Sequence, residues 1–258
     1  MDQVALAVDS HVVTLTLNRP EQRNPLSAAM LRELVTAFRW CQGEPEVRVV
    51  VVTGAGDRAF CAGADLTSFE ADASELERHR GRDLFVELFA LMASLGKPIV
   101  GRINGHALAG GLGLAGSCDL LVAVDTATFG TPEVNVGVWP MMIQAVLARN
   151  LPRKTLLEMM MLGDRWTATQ MQSLGLVNRV VTHDQLDSAV REITEKLARK
   201  SPAVMRLGRD SFYRQQDMEF HAALDYLQGQ LTLVTLTEDS KEGIKAFFEK
   251  REPDFKGR

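Results

Sequence analysis

Cysteine is scarce in this sequence, and its scarcity excludes a disulfide framework. Three cysteines occur among 258 residues, an odd number, and no two of them have Cys-x-x-Cys spacing. Domains that depend on disulfides for stability carry many more, because they form in oxidising compartments. The sequence therefore predicts a protein of a reducing compartment, and we expect a cytoplasmic location.

An excess of positive charge is also lacking. Lys and Arg number 29 against 33 Asp and Glu, which gives a formal net charge of −4. General nucleic-acid binding depends on dense positive charge. We therefore expect no nucleic-acid partner, although a local basic patch for an anionic ligand stays open.

The sequence has no long uninterrupted hydrophobic run and no leader pattern. The N-terminal apolar stretches are broken by Asp9 and His11 and lack a basic segment before them, which argues against a signal peptide. The most apolar region, residues 98–124, is interrupted by Arg102, Asn104, His106 and Asp119. We therefore expect no membrane-spanning segment.

What is present is the alternation typical of an α/β protein. Hydrophobic residues make up 46% and charged residues 24%, as in soluble globular chains. Strand patterns alternate with helix patterns, and the end of the chain reads as helical, which predicts parallel sheets in residues 1–200 and a helical segment in residues 201–258. The predicted strands are 3–8, 11–17, 47–53, 98–103, 119–124 and 177–181. The predicted helices are 28–41, 73–94, 141–150, 154–161, 167–174 and most of the chain after 183.

Two glycine-rich stretches, residues 49–66 and 97–119, each begin with a predicted strand, and residues 54–65 are predicted to form a loop. A glycine-rich turn after a strand can present backbone N–H groups to an oxyanion or a phosphate. Gly111, Gly113 and Gly116 have dinucleotide-binding spacing, but a loop separates them from the preceding strand, so the context does not fit. There is no Gly-x-Ser-x-Gly motif, and the five histidines show no metal-ligand spacing. We therefore predict neither a serine nucleophile nor a metal site.

Glu133 is the most suggestive acidic residue. It follows Pro132 within the otherwise apolar stretch FGTPEVNVGVWP, residues 129–140. A carboxylate in such surroundings is desolvated, which raises its pKa and suits it to act as a general base. On residue type alone, the favoured interpretation is a structural Glu bonded by backbone N–H groups at a helix start.

Taken together, these segments resemble the crotonase family, also called the enoyl-CoA hydratase/isomerase superfamily. The resemblance covers almost the whole chain, and its six motifs occur in the family's order: residues 17–27, 59–66, 97–120, 129–137, 162–181 and 247–257. It implies a spiral of ββα units with a C-terminal helical segment for oligomerisation, usually into trimers or into hexamers built as dimers of trimers.

The resemblance also implies a thioester oxyanion hole. By motif position, its two backbone N–H donors belong to Ala64 and Gly110, and Glu133 is the acid/base. Removing a proton beside a thioester places negative charge on the carbonyl oxygen, and losing one preorganised donor typically costs about 3–4 kcal/mol. The alternative is that the glycines around these positions serve only tight turns and packing.

The substrate implied is an acyl-CoA thioester, so that CoA arrives with the substrate and no separate cofactor is required. CoA is expected along the loop 21–26 and the turn 62–66. Arg23 is a candidate partner for its phosphates, as is Lys250 or Lys256 of the same or a neighbouring subunit. Asp119 is interpreted as structural, capping backbone N–H groups, and Asp65 likewise, although it lies in the CoA turn. The candidate CoA-binding residues are Gln22, Arg23, Ala62, Gly63, Ala64, Asp65 and Leu66.

One departure from the family pattern bears on the reaction. Hydratases of the family carry a second Glu three residues after the oxyanion glycine, and Gly113 stands there. A single carboxylate suits a proton shuttle, so double-bond isomerisation is favoured, and enoyl-CoA hydration is the alternative. Decarboxylation, thioester hydrolysis and non-catalytic acyl-CoA binding remain further alternatives on the same fold.

Two sets of apolar residues are candidates for an acyl pocket and for a subunit interface. Trp139, Met141, Met142 and residues 159–161 could line an acyl pocket, but helical Met residues are more often core. The C-terminal segment carries an amphipathic series that a small tail could not bury alone, which supports oligomerisation without setting its order. That series includes Phe212, Phe220, Leu224, Leu227, Leu231 and Leu236. The homotrimer or hexamer is what the resemblance implies.

Overall fold

The chain, seen in a computed structural model, is described over residues 1–65 and 75–258, with side chains over 1–65 and 82–258. Its described strands are β1 Val4–Asp9, β2 Val12–Leu17, β3 Val49–Gly54, β4 Ala59–Cys61, β5 Ile99–Ile103, β6 His106–Leu108, β7 Leu120–Val124, β8 Thr128–Gly130, β9 Arg165–Thr167 and β10 Arg179–Val181. Its described helices are α1 Ala28–Gly43, α2 Glu75–Ala93, α3 Gly110–Gly116, α4 Met141–Leu147, α5 Arg153–Leu162, α6 Ala168–Ser173, α7 Leu186–Ala198, α8 Pro202–Gln215, α9 Phe220–Leu236 and α10 Glu238–Glu249.

The larger sheet has six strands in the order β1-β2-β3-β5-β7-β10. β1 and β2 form an antiparallel hairpin, and the other neighbours are parallel. β3 reads VVVVTG and is buried at every position, because a parallel strand with helices on both sides needs no polar face. The predicted α/β chain with parallel sheets is confirmed.

Helix α1 begins where the sequence predicts. The Ser27 hydroxyl accepts the Met30 N–H at 3.1 Å, which is worth about 1 kcal/mol at an N-cap. One face of the helix is then buried against the sheet, at Met30, Leu31, Leu34, Val35, Ala37, Phe38 and Cys41.

The smaller sheet was not predicted from the sequence. Its order is β4-β6-β8-β9, with β9 antiparallel to β8 and the other neighbours parallel. The prediction of an uninterrupted loop over residues 54–65 is wrong, because β4 lies within it. Each strand has three residues, too few for an alternating pattern to be recognised.

Two buried asparagines hold the first glycine-rich stretch against its neighbours. The Asn24 amide donates to the Ala59 carbonyl at 3.0 Å. The Asn104 amide donates to the Gly56 carbonyl at 2.7 Å and its oxygen accepts the Gly54 N–H at 3.1 Å. These bonds satisfy backbone groups that irregular chain would otherwise leave unpaired.

Helix α8 is anchored to the sheets by a buried arginine. The Arg209 guanidinium donates to Asp119 at 2.8 Å and to the Met92 and Ala93 carbonyls at the end of α2. The Tyr213 hydroxyl donates to the same carboxylate at 2.7 Å. Asp119 also accepts the Ile99 N–H at 2.7 Å, the structural role that the sequence predicts for it.

The last residues depart from the predicted helix. α10 ends at Glu249, and residues 250–258 are irregular. The buried Asp239 carboxylate accepts the N–H groups of Lys256 and Gly257 and the Ser201 hydroxyl. The tail is thus held against the starts of α8 and α10.

The C-terminal helices leave a large apolar surface uncovered in the single chain. Five of the six residues in the predicted amphipathic series are exposed, and Leu227 is half-buried. Other exposed apolar side chains in this segment are Leu233, Ile244, Phe247 and Phe248. Of the helices that the structure describes, none is long and apolar enough to cross a membrane.

Candidate active site

The first candidate donor lies in the turn after β4. Gly63 has φ +111°, and a Cβ there would lie 2.7 Å from the Ala109 Cβ, so both the conformation and the space require glycine. Leu26 donates to the Gly63 carbonyl at 2.8 Å and accepts the Asp65 N–H at 3.1 Å. Between these two bonds, the Ala64 N–H has no acceptor within the described part of the chain.

The second candidate donor begins α3. The preceding Ala109 has φ +50° and ψ −128°, a conformation that costs a non-glycine residue about 1–3 kcal/mol. Its N–H donates to the Gly130 carbonyl at 2.9 Å, which fixes the turn to the smaller sheet. The Gly110 N–H then has no acceptor among residues 1–65 and 75–258.

The two candidate donors are adjacent. A Cβ built on Gly110 would lie 3.5 Å from the Ala64 nitrogen. Two unpaired backbone N–H groups so close together can share one oxyanion. The structure therefore brings together the two residues that the family motifs point to.

Glu133 follows β8 in a 3-10 turn, Pro132–Val136. The buried Thr131 hydroxyl donates to the Met159 carbonyl at 3.0 Å, which fixes the start of this turn. The Glu133 Oε2 is buried and has no hydrogen-bond partner within the described residues. Burial raises the pKa of Glu133, and its own backbone N–H offsets part of that shift. A carboxylate with one unpaired oxygen and a raised pKa is suited to take and return a proton.

Gly113, which stands where family hydratases have a second Glu, is tightly enclosed. A Cβ at this position would lie 2.2 Å from the Ile143 Cγ2, 2.8 Å from the Ile143 Cβ and 3.2 Å from the Phe89 Cζ. The position is therefore filled by side chains from α4 and α2.

The candidate CoA loop and turn lie side by side. The Ala62 N–H donates to the Arg23 carbonyl at 2.9 Å, and Leu26 and Ala64 form an isolated parallel β-bridge. The Arg19 guanidinium bonds Asp65 at 2.7 Å and also donates to the Gln22 side-chain oxygen. Gln22 and Arg23 are exposed, whereas Leu66 lies outside the described residues.

The candidate cations for the CoA phosphates have different surroundings in the loop and at the C-terminus. The pKa of His106 is lowered by burial and by the nearby charges of Arg165 and Arg23. Lys256 bonds Asp254 at 2.6 Å, and Lys250 caps α10 with φ +54°, so both belong to the C-terminal segment. Arg23 lies in the loop itself and is exposed.

The methionine-rich stretches divide between core and surface. Met159 and Met160 are buried in the core, while Met141 and Met161 are exposed. Trp139 is half-buried and donates to Gln144 at 2.8 Å. The side chains next to the candidate donors are instead Leu26 and Phe85, each with an atom 3.5 Å from a Cβ built on Gly110.

Phe85 and Phe89 were missed by the sequence reasoning. They lie on α2 with ring centroids 6.1 Å apart. The sequence predicts this helix over residues 73–94, and the i, i+4 spacing of two phenylalanines could have indicated its apolar face. Among the described residues, no group of three or more His, Cys, Asp or Glu could hold a metal ion.

Comparisons with known proteins point to one family. The sequence pattern of the enoyl-CoA hydratase/isomerase family matches residues 7–258. The chain is 35% identical to 2,3-dehydroadipyl-CoA hydratase of Escherichia coli over the full length of both. It is 32% identical to (E)-benzylidenesuccinyl-CoA hydratase of Thauera aromatica, over 98% of this chain and 99% of the relative.

Solved structures support the same assignment. The enoyl-CoA hydratase of Mycobacterium smegmatis superimposes with a TM-score of 0.95 at 34% identity, covering 98% of each chain. That of Bacillus anthracis gives 0.94 at 32% identity, covering 99% of this chain and 100% of the other. These matches confirm the crotonase-like fold predicted from the motifs. The chain belongs to the enoyl-CoA hydratase/isomerase family.

Proposed function

We propose that this protein acts on acyl-CoA thioesters through an enolate, with Glu133 as its single acid/base. The observation that carries the proposal is the buried Glu133 carboxylate, with one unpaired oxygen and a raised pKa. The adjacent, unpaired N–H groups of Ala64 and Gly110 support it as the oxyanion hole.

Isomerisation follows from these groups without another catalyst. Glu133 takes a proton from C2 of a 3-enoyl thioester, and the electron pair moves onto the thioester oxygen between Ala64 and Gly110. The dienolate then collapses as Glu133 returns the proton to C4, which moves the double bond to C2–C3. One carboxylate completes this cycle, and no water is consumed.

Hydration of a 2-enoyl thioester is the second candidate, and the relatives favour it. The two named relatives compared above are called hydratases and match almost the whole chain. In that reaction, the oxygen of water bonds C3 and a proton is delivered to C2. Because no acid stands at position 113, water would have to be held by another group.

Mass spectrometry of the purified protein in deuterated water separates the two reactions. We expect a 3-enoyl-CoA to give the 2-enoyl isomer without added water, and Glu133→Gln to lower this rate about 10²–10⁴-fold with CoA-ester binding little changed. Hydration of a 2-enoyl-CoA at an enzymatic rate would favour the second candidate. Turnover that survives Glu133→Gln would contradict the assignment of Glu133.

We also propose that the apolar surface of α9 and α10 mediates self-association into a trimer or hexamer. Exposed side chains such as Leu231, Leu236, Phe247 and Phe248 form a patch of the kind found at protein interfaces. Light scattering at several concentrations tests this, and a monomer throughout would contradict it.

A further inference from the structure

Helices α3 and α4 approach each other along two glycines, but the two contacts differ. At Gly113, a Cβ would lie 2.2 and 2.8 Å from Ile143 Cγ2 and Cβ. At Gly116, a Cβ would lie 3.2 Å from Leu147 and 3.3 Å from Val146. A side chain at 116 therefore needs movements of a few tenths of an ångström, whereas one at 113 overlaps Ile143.

Moving the Ile143 side chain away from position 113 is energetically unfavourable. Ile143 is buried in the first turn of α4, and a β-branched side chain in a helix has one strongly preferred rotamer. Its Cβ is fixed to the backbone, so relieving the 2.8 Å contact requires α4 itself to shift. Ile143 and Gly113 are thus a matched pair, in which each residue restricts the size of the other.

This pair lies beside the candidate oxyanion hole. Gly113 follows Gly110 by about one turn of α3, so the two positions share a face of the helix. Phe85 lies against Gly110 and Phe89 against Gly113, and the two rings on α2 are tilted by 52° with their centroids 6.1 Å apart. The surface running from the two donors past position 113 is therefore apolar, formed by Phe85, Phe89 and Ile143.

We propose that Ile143 is a specificity-determining residue that commits this site to proton transfer without water addition. It fills the volume into which a carboxylate at 113 would project, and it offers no polar group to a water molecule there. An ordered water needs two to four polar partners. The inference rests on the proposed enolate chemistry, because it concerns which reaction the enolate site can complete.

The test uses three variants: Ile143→Gly, which removes both the Cγ2 and the Cβ that face position 113, Gly113→Glu, and the double variant Gly113→Glu/Ile143→Gly. Each is assayed for isomerisation of a 3-enoyl-CoA and hydration of a 2-enoyl-CoA, with the fold checked by circular dichroism. We expect Ile143→Gly alone to gain no hydration, because it supplies no carboxylate, and Gly113→Glu alone to fold poorly or gain no hydration. We expect the double variant to fold and to hydrate about 10²-fold faster than the parent.

Three results would overturn the inference. One is hydration by the parent as fast as its isomerisation. A second is a folded Gly113→Glu variant that hydrates as well as the double variant. The third is a folded double variant with no gain in hydration.

A steric measurement keeps the inference testable if the double variant does not fold. Gly113→Ala should lower Tm clearly more than Gly116→Ala, its counterpart one turn later against the same helix. Equal losses would show that Ile143 does not close position 113. Failure of the proposed function is seen separately, as parent turnover of neither substrate or as turnover that survives Glu133→Gln.

Discussion

The two sheets of this molecule are built from different kinds of sequence, and they serve different purposes. The larger sheet uses mostly five- and six-residue strands, and its central strands β3, β5 and β7 are rich in apolar residues and almost fully buried. The smaller sheet uses three-residue strands set between glycine-rich turns. Those short strands lead into the segments that carry Ala64, Gly110 and Glu133.

The difference shows how stability and chemistry are divided within one domain. A strand that is buried on both faces contributes through the apolar area it removes from water. A three-residue strand contributes little area but ends at a defined point, so the next residue can be placed against a neighbour. We therefore expect substitutions in the larger sheet to change stability, and those around the smaller sheet to change catalysis.

The largest expected effect is on stability, for Leu15→Ala in β2. Leu15 is fully buried opposite Val52, and such a truncation typically costs about 2–5 kcal/mol. Chemical denaturation measures the loss, and kcat per folded molecule should stay unchanged. Thr14→Ala, at the half-buried neighbouring position, is the control and should cost under about 1 kcal/mol. A fall in kcat for folded Leu15→Ala would break the proposed division.

The strained backbone at Ala109 gives a second prediction, with a smaller expected change in stability than Leu15→Ala. Ala109→Gly removes a conformation that costs about 1–3 kcal/mol, which offsets the lost methyl burial and the added freedom of the unfolded chain. We expect no net loss of stability in thermal unfolding. Ala107→Gly, two residues earlier within β6, removes a fully buried methyl group and should lose about 1 kcal/mol. Equal losses in the two variants would show that the turn before Gly110 is not strained.

Most of the larger sheet could be predicted from the sequence, because its longer strands show alternating or continuous apolar residues. The hairpin, β3, β5 and β7 lie within about two residues of their predicted bounds, and Ser27 caps α1 as expected. The prediction went wrong where tertiary contacts outweigh local pattern. β4 lies inside a predicted loop, and the tail after Glu249 is fixed by Asp239 rather than by helix propensity.

The candidate site was found by motif resemblance, since no periodicity marks it. Glu133 alone allowed a structural interpretation, and only the fold shows that one of its oxygens is buried and unpaired. The enclosure of Gly113 could not be foreseen at all. The sequence shows the missing carboxylate, but the 2.2 Å approach of Ile143 depends on how α4 packs against α3.

The candidate CoA loop offers a third, still smaller effect. Arg19 holds Asp65 beside the Ala62–Asp65 turn, with both side chains largely shielded. Arg19→Gln should raise KM for the acyl-CoA by up to about 5-fold with kcat unchanged, as expected for an ion pair worth up to about 1 kcal/mol. Arg179→Gln, which removes a half-exposed pair with Glu192, is the control and should leave KM unchanged. A fall in kcat alone would place Arg19 in the chemical step instead.

The smallest expected effect is a pH-dependent change in stability whose sign differs between two glutamates. Burial raises the pKa of Glu133. The native state therefore holds a proton that the unfolded state has released, and stability falls as pH rises through the raised pKa. Glu133→Gln should raise Tm near neutral pH, and the gain should disappear as pH falls toward the ordinary Glu value.

Glu33 is the matched opposite: burial acts to raise its pKa, but three N–H groups, of Asp2, Gln3 and Val4, lower it overall. Glu33→Gln should therefore lower Tm near neutral pH, and that loss should shrink as pH falls through the lowered pKa. Melting curves between pH 4 and pH 8 test both signs, and a Glu133→Gln variant less stable than the parent at neutral pH would mean that its carboxylate is a structural partner. Such a result would move Glu133 from the catalytic side of the comparison to the structural side.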